Sequence, residues 1–183
     1  VISLDGTCII SGEFFGNKVT IWDALTGAKL REMTCGGGVF SVALSSDGTR
    51  IISGANGGTV TIWDALTGAK LHEMTCEATV RSVALSSDGT RFTSGDDSGT
   101  ATSWDASTGA KLRDITCEGG VRNVAISLDG TRIIIGGFSG KVTIWDALTG
   151  VNLHEMTCER GEISLTLSLD GTRIISGDVS GKV

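Results

Sequence analysis

The side chains of this 183-residue chain that could do chemistry fall on a common interval. Cys35, Cys76, Cys117 and Cys158 stand 41 residues apart, and Cys8 lies outside the series. A disulfide framework needs cysteines that meet, whereas one per period puts each in the same spot of a different unit. Zinc is equally unsupported, because no C-x-x-C pair or nearby His supplies a second ligand. A small buried thiol, repeated, is the reading that remains. His72 and His154 hold places where other periods carry Arg31 and Arg113. Exchange of His with Arg marks a solvated edge rather than a catalytic base. Asp96-Asp97 is the densest acidic pair, but Ca²⁺ wants roughly six or more oxygens, so the pair reads as a polar loop. No G-x-S-x-G elbow and no G-x-x-x-x-G-K-[ST] loop occurs, and Gly57-Gly58-Thr59 is only a turn. No catalytic residue, metal site or cofactor is expected, and the chain reads as a non-enzyme.

Charge points the same way. A net charge of −6 and a pI near 4.8 argue against nucleic acid or an anionic membrane as the main partner. No apolar run approaches the roughly 18 residues of a membrane-spanning helix. The absence of N-x-S/T leans toward an intracellular, cytoplasmic home.

The elements that must position these residues are set by the tryptophans. Trp22-Asp23, Trp63-Asp64, Trp104-Asp105 and Trp145-Asp146 follow the same 41-residue period, each with a Thr-Gly or equivalent turn a few residues on. A period in the low forties means stacked supersecondary units. One unit shows the grammar. Val80 to Leu85 is a β-rich strand closed by Ser86-Ser87-Asp88-Gly89, and Asp-Gly between apolar runs signals a tight hairpin. Thr90 to Gly95 is strand two, Thr100 to Asp105 strand three with the Trp, and Lys111 to Cys117 strand four, alternating Leu112 and Ile115 with polar residues. Asp5-Gly6, Asp47-Gly48, Asp129-Gly130 and Asp170-Gly171 repeat the first turn. Helical periodicity is absent. Four-stranded antiparallel sheets too small to bury their own faces must pack face to face around an axis, which gives an all-β propeller.

The pattern V-x-S-V-A-[LI]-S-x-D-G-T-R-x-x-S-G followed by T-[IS]-W-D-A-x-T-G resembles the WD-repeat (WD40) β-propeller family over residues 1–183. The repeats fall at roughly 1–40, 41–81, 82–122 and 123–163, with a partial copy at 164–183. The resemblance implies blades whose outer strand comes from the preceding sequence repeat. It also implies a Gly-His before strand one whose His joins a strand-two hydroxyl, a loop Asp and the Trp. Here that place reads Cys35-Gly36, Cys76-Glu77, Cys117-Glu118 and Cys158-Glu159, and the loop Asp position is Gly57, Ser98 or Ser139. Ser53, Ser94 and Ser176 are kept, while Ile135 replaces the Ser once. The Trp is therefore expected to rely on packing and one hydroxyl.

Residues 162 to 181 repeat the content of 1 to 16. Blades of this family usually close in greater number, so two chains in a head-to-tail ring, a slice of a longer propeller, and an open filament all stay possible. Repeat one also carries one extra residue within Glu13-Phe14-Phe15-Gly16-Asn17.

Variation gathers on the loops before strand one, on the first residues of that strand, and on the two-to-three loops. It gives Phe14, Phe15, Phe40, Arg81, Asp96, Asp97, Arg122, Phe138 and Arg160 as candidates for binding another protein. Three functions are open: a protein-interaction scaffold presenting one propeller face, a structural self-assembling repeat protein, and a lectin-like binder with one pocket per blade.

Overall fold

The computed structural model describes residues 1–158, 164–168 and 173–177, and among these every regular element is a strand. Sheet one holds β1 (Cys8–Glu13), β2 (Lys18–Asp23) and β3 (Lys29–Thr34). Sheet two holds β4 (Val39–Leu44), β5 (Arg50–Ala55), β6 (Thr59–Asp64) and β7 (Lys70–Thr75). Sheet three runs β8 (Val80–Leu85), β9 (Arg91–Asp96), β10 (Thr100–Asp105) and β11 (Lys111–Thr116). Sheet four runs β12 (Val121–Ile126), β13 (Arg132–Gly137), β14 (Lys141–Asp146) and β15 (Asn152–Thr157), and a fifth begins with β16 (Ser164–Leu167) and β17 (Ile174–Gly177). Strand order follows chain order in every sheet and all pairs are antiparallel. Each four-stranded sheet is thus continuous in sequence from its inner strand outward. Residues Val1 to Ser3 take the inner position of sheet one, through an Ile2–Ile9 bridge and an Ile10 amide bonded to the Val1 carbonyl at 2.8 Å.

Two-sided burial explains the composition of the central strands. In β6, Val60 and Ile62 face sheet three, while Trp63 packs back against Ile10, Val19, Ile21 and Met33 of sheet one. Trp104 repeats this one sheet on, against Ile52, Val60, Ile62 and Met74. A six-residue strand cannot bury either face alone; stacking buries both, at about 1.5–3 kcal/mol per enclosed apolar side chain. The inner strands β4, β8, β12 and β16 of successive sheets lie side by side. The Val83 and Val124 amides donate to Ser41 Oγ and Ser82 Oγ of the preceding inner strand at 3.1 and 3.2 Å. This radial stack of antiparallel sheets is the blade arrangement of a β-propeller.

Both Asp motifs are turn locks. Asp47 Oδ1 accepts from Ser45 Oγ at 2.6 Å and from the Thr49 amide and hydroxyl at 2.9 and 2.8 Å. Asp5 and Asp129 do the same in their turns, and Asp88 differs only in taking the Thr90 hydroxyl on Oδ2. Gly48 adopts φ 71°, a region costly for any residue with a Cβ. The connection spans Ser45 to Thr49, longer than the two-residue hairpin that Asp-Gly suggests, because the aspartate side chain bridges it and only the Gly needs positive φ. The Asp after each Trp closes the next turn: Asp23 accepts from the Thr26 amide and hydroxyl at 2.7 Å each, with matching bonds at Asp64, Asp105 and Asp146.

Two expectations need correction. Leu112 does not alternate inward with Ile115. A bulge at Ser103/Trp104 leaves Leu112 exposed while Ile115 is buried, and Leu30, Leu71 and Leu153 are exposed at equivalent bulges. Nor are Arg31, His72 and Arg113 simply solvated. Arg31 Nη1, His72 Nε2 and Arg113 Nη2 meet the Thr67, Ser107 and Leu148 carbonyls at 3.0, 3.0 and 2.9 Å, so each clasps the turn of the next sheet. Arg and a His protonated on Nε2 are interchangeable there because either supplies an N–H donor.

Candidate partner-binding face

The variable residues come from two kinds of position that the fold brings to one end of the stack. The first lies in the inner strand. Register shifts at Val39/Ser41, Val80/Ser82 and Val121/Asn123 make Phe40, Arg81 and Arg122 the extra residue of a β-bulge. A bulge re-aims its side chain out of the pleat, so variation costs the sheet nothing. The second is the loop joining strands two and three of each sheet, which carries Phe14, Phe15, Asp97 and Phe138. The extra residue of repeat one lies here, with Asn17 at φ 53°.

These side chains form a row across three sheets. Phe15, 97% exposed, meets Phe14 edge-on at 5.1 Å between ring centroids, and Phe14 meets Phe40 of sheet two at 4.9 Å. The Arg81 guanidinium of sheet three sits 4.4 Å over the Phe40 ring and grips Asp97 with two 2.7 Å bonds, Nε to Oδ1 and Nη2 to Oδ2. A planar guanidinium can serve a ring and a carboxylate together, and each such contact is worth about 0.5–1 kcal/mol at a partly exposed site. In sheet four Arg122 lies 5.3 Å over Phe138. Gly38 permits the row, since a Cβ there would come within 2.5 Å of the Phe14 carbonyl and 2.6 Å of its ring.

Asp96 does not belong to this surface. It is 1% exposed, and its Oδ1 accepts from the Ser98 amide and hydroxyl and from the Thr100 amide, so the carboxylate is spent holding its own turn. Asp97, one residue on, points to Arg81 instead. Arg160 lies outside the described residues, as does the Asp170-Gly171 turn.

Behind the row, every Trp finds a hydroxyl. Trp22, Trp63 and Trp104 donate Nε1–H to Ser11, Ser53 and Ser94 Oγ at 2.8 Å each. Trp145, whose Ser is replaced by Ile135, donates to Thr143 Oγ1 at 2.8 Å. Cys35, Cys76 and Cys158 Sγ approach the strand-two hydroxyls of Ser53, Ser94 and Ser176 at 3.8, 3.5 and 3.8 Å. Burial pushes the Cys35, Cys76 and Cys117 thiols up, which keeps them protonated, and all five cysteines are free. Among the described residues, no group of His, Cys, Asp and Glu is placed to hold a metal ion.

A further exposed set sits at the opposite end. Leu25, Leu66 and Leu148 project from the turns after the Trp-Asp pairs. Its signal was an apolar residue recurring inside W-D-A-L-T-G.

No curated protein matches the chain. The family model described as outer membrane protein assembly factor BamB matches residues 16–180, a span that takes in β2 through β17. The chain belongs to the outer membrane protein assembly factor BamB family.

Proposed function

We propose that the chain is a non-catalytic protein-interaction scaffold that presents one end of a WD-repeat-type propeller, spanning residues 1–183, to a protein partner. The row from Phe15 through Phe14, Phe40 and Arg81 to Asp97 carries this reading. Exposed aromatics pre-positioned on a rigid frame lose little freedom on binding and form the usual centre of an interface. A net charge of −6 favours a protein over nucleic acid or an anionic lipid surface. The family description names an assembly factor, which fits work done by binding. The test places a photo-crosslinking residue at position 15 in cells of the source organism, with a control at exposed Lys111 on β11. A discrete protein adduct at position 15, lost in a Phe14→Ala/Phe40→Ala background and absent at 111, supports the proposal. Equal labelling at both sites, or none at 15, refutes it.

A second reading, self-assembly through sheet faces, is favoured by one observation. Ile9 is 38% exposed on the outer face of sheet one, where its equivalent Ile51 is 0% exposed beneath the preceding sheet. We infer that a second copy covers this face with its own last sheet, where Ile175 is exposed. Light scattering across a tenfold dilution checks it: a stable species of twice 18.9 kDa, reduced to one by Ile9→Glu, supports closure by two copies. A monomer at all concentrations removes it.

A further inference from the structure

A cleft of about 650 Å³ opens between sheets one and two, at the end of the stack opposite the aromatic row. Its accessible apolar lining is Cys8, Leu44, Ala65 and Leu66, over the buried Ile10, Ile21 and Ile51, and its rim carries Asp5 and Asp47. Pockets of this size with an apolar floor and a few convergent polar groups are suited to one side chain or small ligand.

The next cleft along, between sheets two and three, shows what this shape accommodates. Thr7-Cys8-Ile9-Ile10 aligns with Thr49-Arg50-Ile51-Ile52 one unit later, so Cys8 stands where the other unit has Arg50. Arg50 crosses to the following sheet and its Nη1 donates to the Ala106 carbonyl at 3.1 Å, and Ala106 is buried. Ala65 is the equivalent of Ala106, lines the open cleft and is only half-buried. Cysteine is too short to span the gap. Cleft one thus has the walls and the carbonyl of an arginine slot without the arginine.

We propose that this cleft receives an arginine side chain of a protein partner, its stem along Cys8, Leu44 and Leu66 and its guanidinium between the Ala65 carbonyl and the carboxylates of Asp5 and Asp47. The carboxylates are ready for it. In both turns the hydrogen bonds to the side chain go to Oδ1, which leaves Oδ2 for an incoming donor. Those same bonds hold both acids below their ordinary range, so both carry charge at neutral pH. Arginine fits better than lysine because its flat fork can donate to a carbonyl and a carboxylate at once, as Arg81 serves two partners at the other end. A neutral apolar ligand would fill the floor and leave the acidic rim unused.

The probe is Nα-acetyl-arginine N-methylamide, titrated into ¹³C-methyl-labelled protein at low salt, beside its citrulline and lysine analogues. The expected result is saturable shifts confined to the Leu44, Ala65 and Leu66 methyls and the Ile10 and Ile21 methyls beneath them, at least fivefold weaker binding of citrulline, and loss of the shifts in Cys8→Arg, which fills the slot from within. Asp47→Asn, which keeps the turn's Oδ1 acceptor, should weaken the arginine probe severalfold and keeps the test decisive if Cys8→Arg fails to fold. No saturable shift, equal binding of citrulline, or full binding by whichever of these variants folds overturns the proposal.

Discussion

Position 93 offers a direct test of whether inter-sheet packing is understood. Thr93 is 0% exposed on β9, and its Oγ1 has no hydrogen-bond partner. The other units place Ile10, Ile52 and Ile134 there, all buried. Leaving a buried hydroxyl unpaired costs about 1–3 kcal/mol, and a methyl in its place adds up to about 0.8 kcal/mol of burial. Valine matches threonine in shape and β-branching, so strand preference and rotamer entropy nearly cancel. Thr93→Val should therefore stabilise the chain by about 2 kcal/mol, or roughly 4–8 °C at about 2–4 °C per kcal/mol for a domain of this size. Urea unfolding followed by tryptophan fluorescence measures it, with amide exchange in β9 and β13 to localise the gain. Thr93→Ile should gain more if the gap toward sheet four is open and less if it is filled. A Thr93→Val protein no more stable than its parent would show that the hydroxyl is satisfied, and the reasoning would fail.

Three further outcomes follow from the side-chain packing and hydrogen bonds within the sheets and their turns. Ser53→Ala strips the acceptor from buried Trp63 and the hydroxyl beside Cys35, and should cost about 1–3 kcal/mol in the same urea assay; Ile135→Ser should cost about 2–5 kcal/mol, because it empties a fully buried site between sheets three and four while Trp145 already has its acceptor in Thr143. The turn-lock aspartates give an acid limb: hydroxyl and amide donors hold Asp47 and Asp129 down at about 2, against about 3.9 in an unfolded chain, so their stabilisation is complete above pH ~4 and is lost as pH falls through ~2. Urea midpoints measured from pH 5 to pH 2 should fall over that window, and a flat profile would contradict the turn-lock role.

The architecture was legible because its signals are local and repeated. Asp64, Asp47 and Gly48 each act within a few residues of themselves, in a turn, and four copies of the Trp-Asp and Asp-Gly pairs at one interval make the pattern hard to misread. What escaped were effects that depend on a neighbour. The clasps of Arg31, His72 and Arg113 look like solvated charges until the next sheet supplies a carbonyl. Thr143 could not be picked out as the rescue for Ile135, because every unit has that threonine and the others leave the Trp to serine. Asp96 and Asp97 are adjacent and chemically identical, yet strand alternation buries one and presents the other. On the candidate face, spacing put Phe40, Arg81 and Arg122 in one strand position, but only register shows that they are bulge residues turned outward.

Departures from the repeat are then where function should be sought, and they fall into physically distinct kinds. Thr93 for Ile removes packing without making a surface, so it affects stability alone. Cys8 for Arg opens a cleft but leaves the sheets joined through Ile10, Ile21, Ile51 and Trp63. The loop and bulge substitutions do neither, because they lie beyond the pleat. Their contacts have a direction: Phe14 to Phe40 ties sheet one to sheet two, and Phe40 to Arg81 ties sheet two to sheet three. Arg122 instead stacks on Phe138 of its own sheet. A row that crosses two sheet boundaries stiffens both against relative twist, whereas a pair within one sheet stiffens none. The first three sheets therefore share one stiffened row led by Phe15, and under the proposed function a partner that seats on Phe15 and Phe40 should protect amides in the loops of sheets one to three while leaving those of sheet four unchanged.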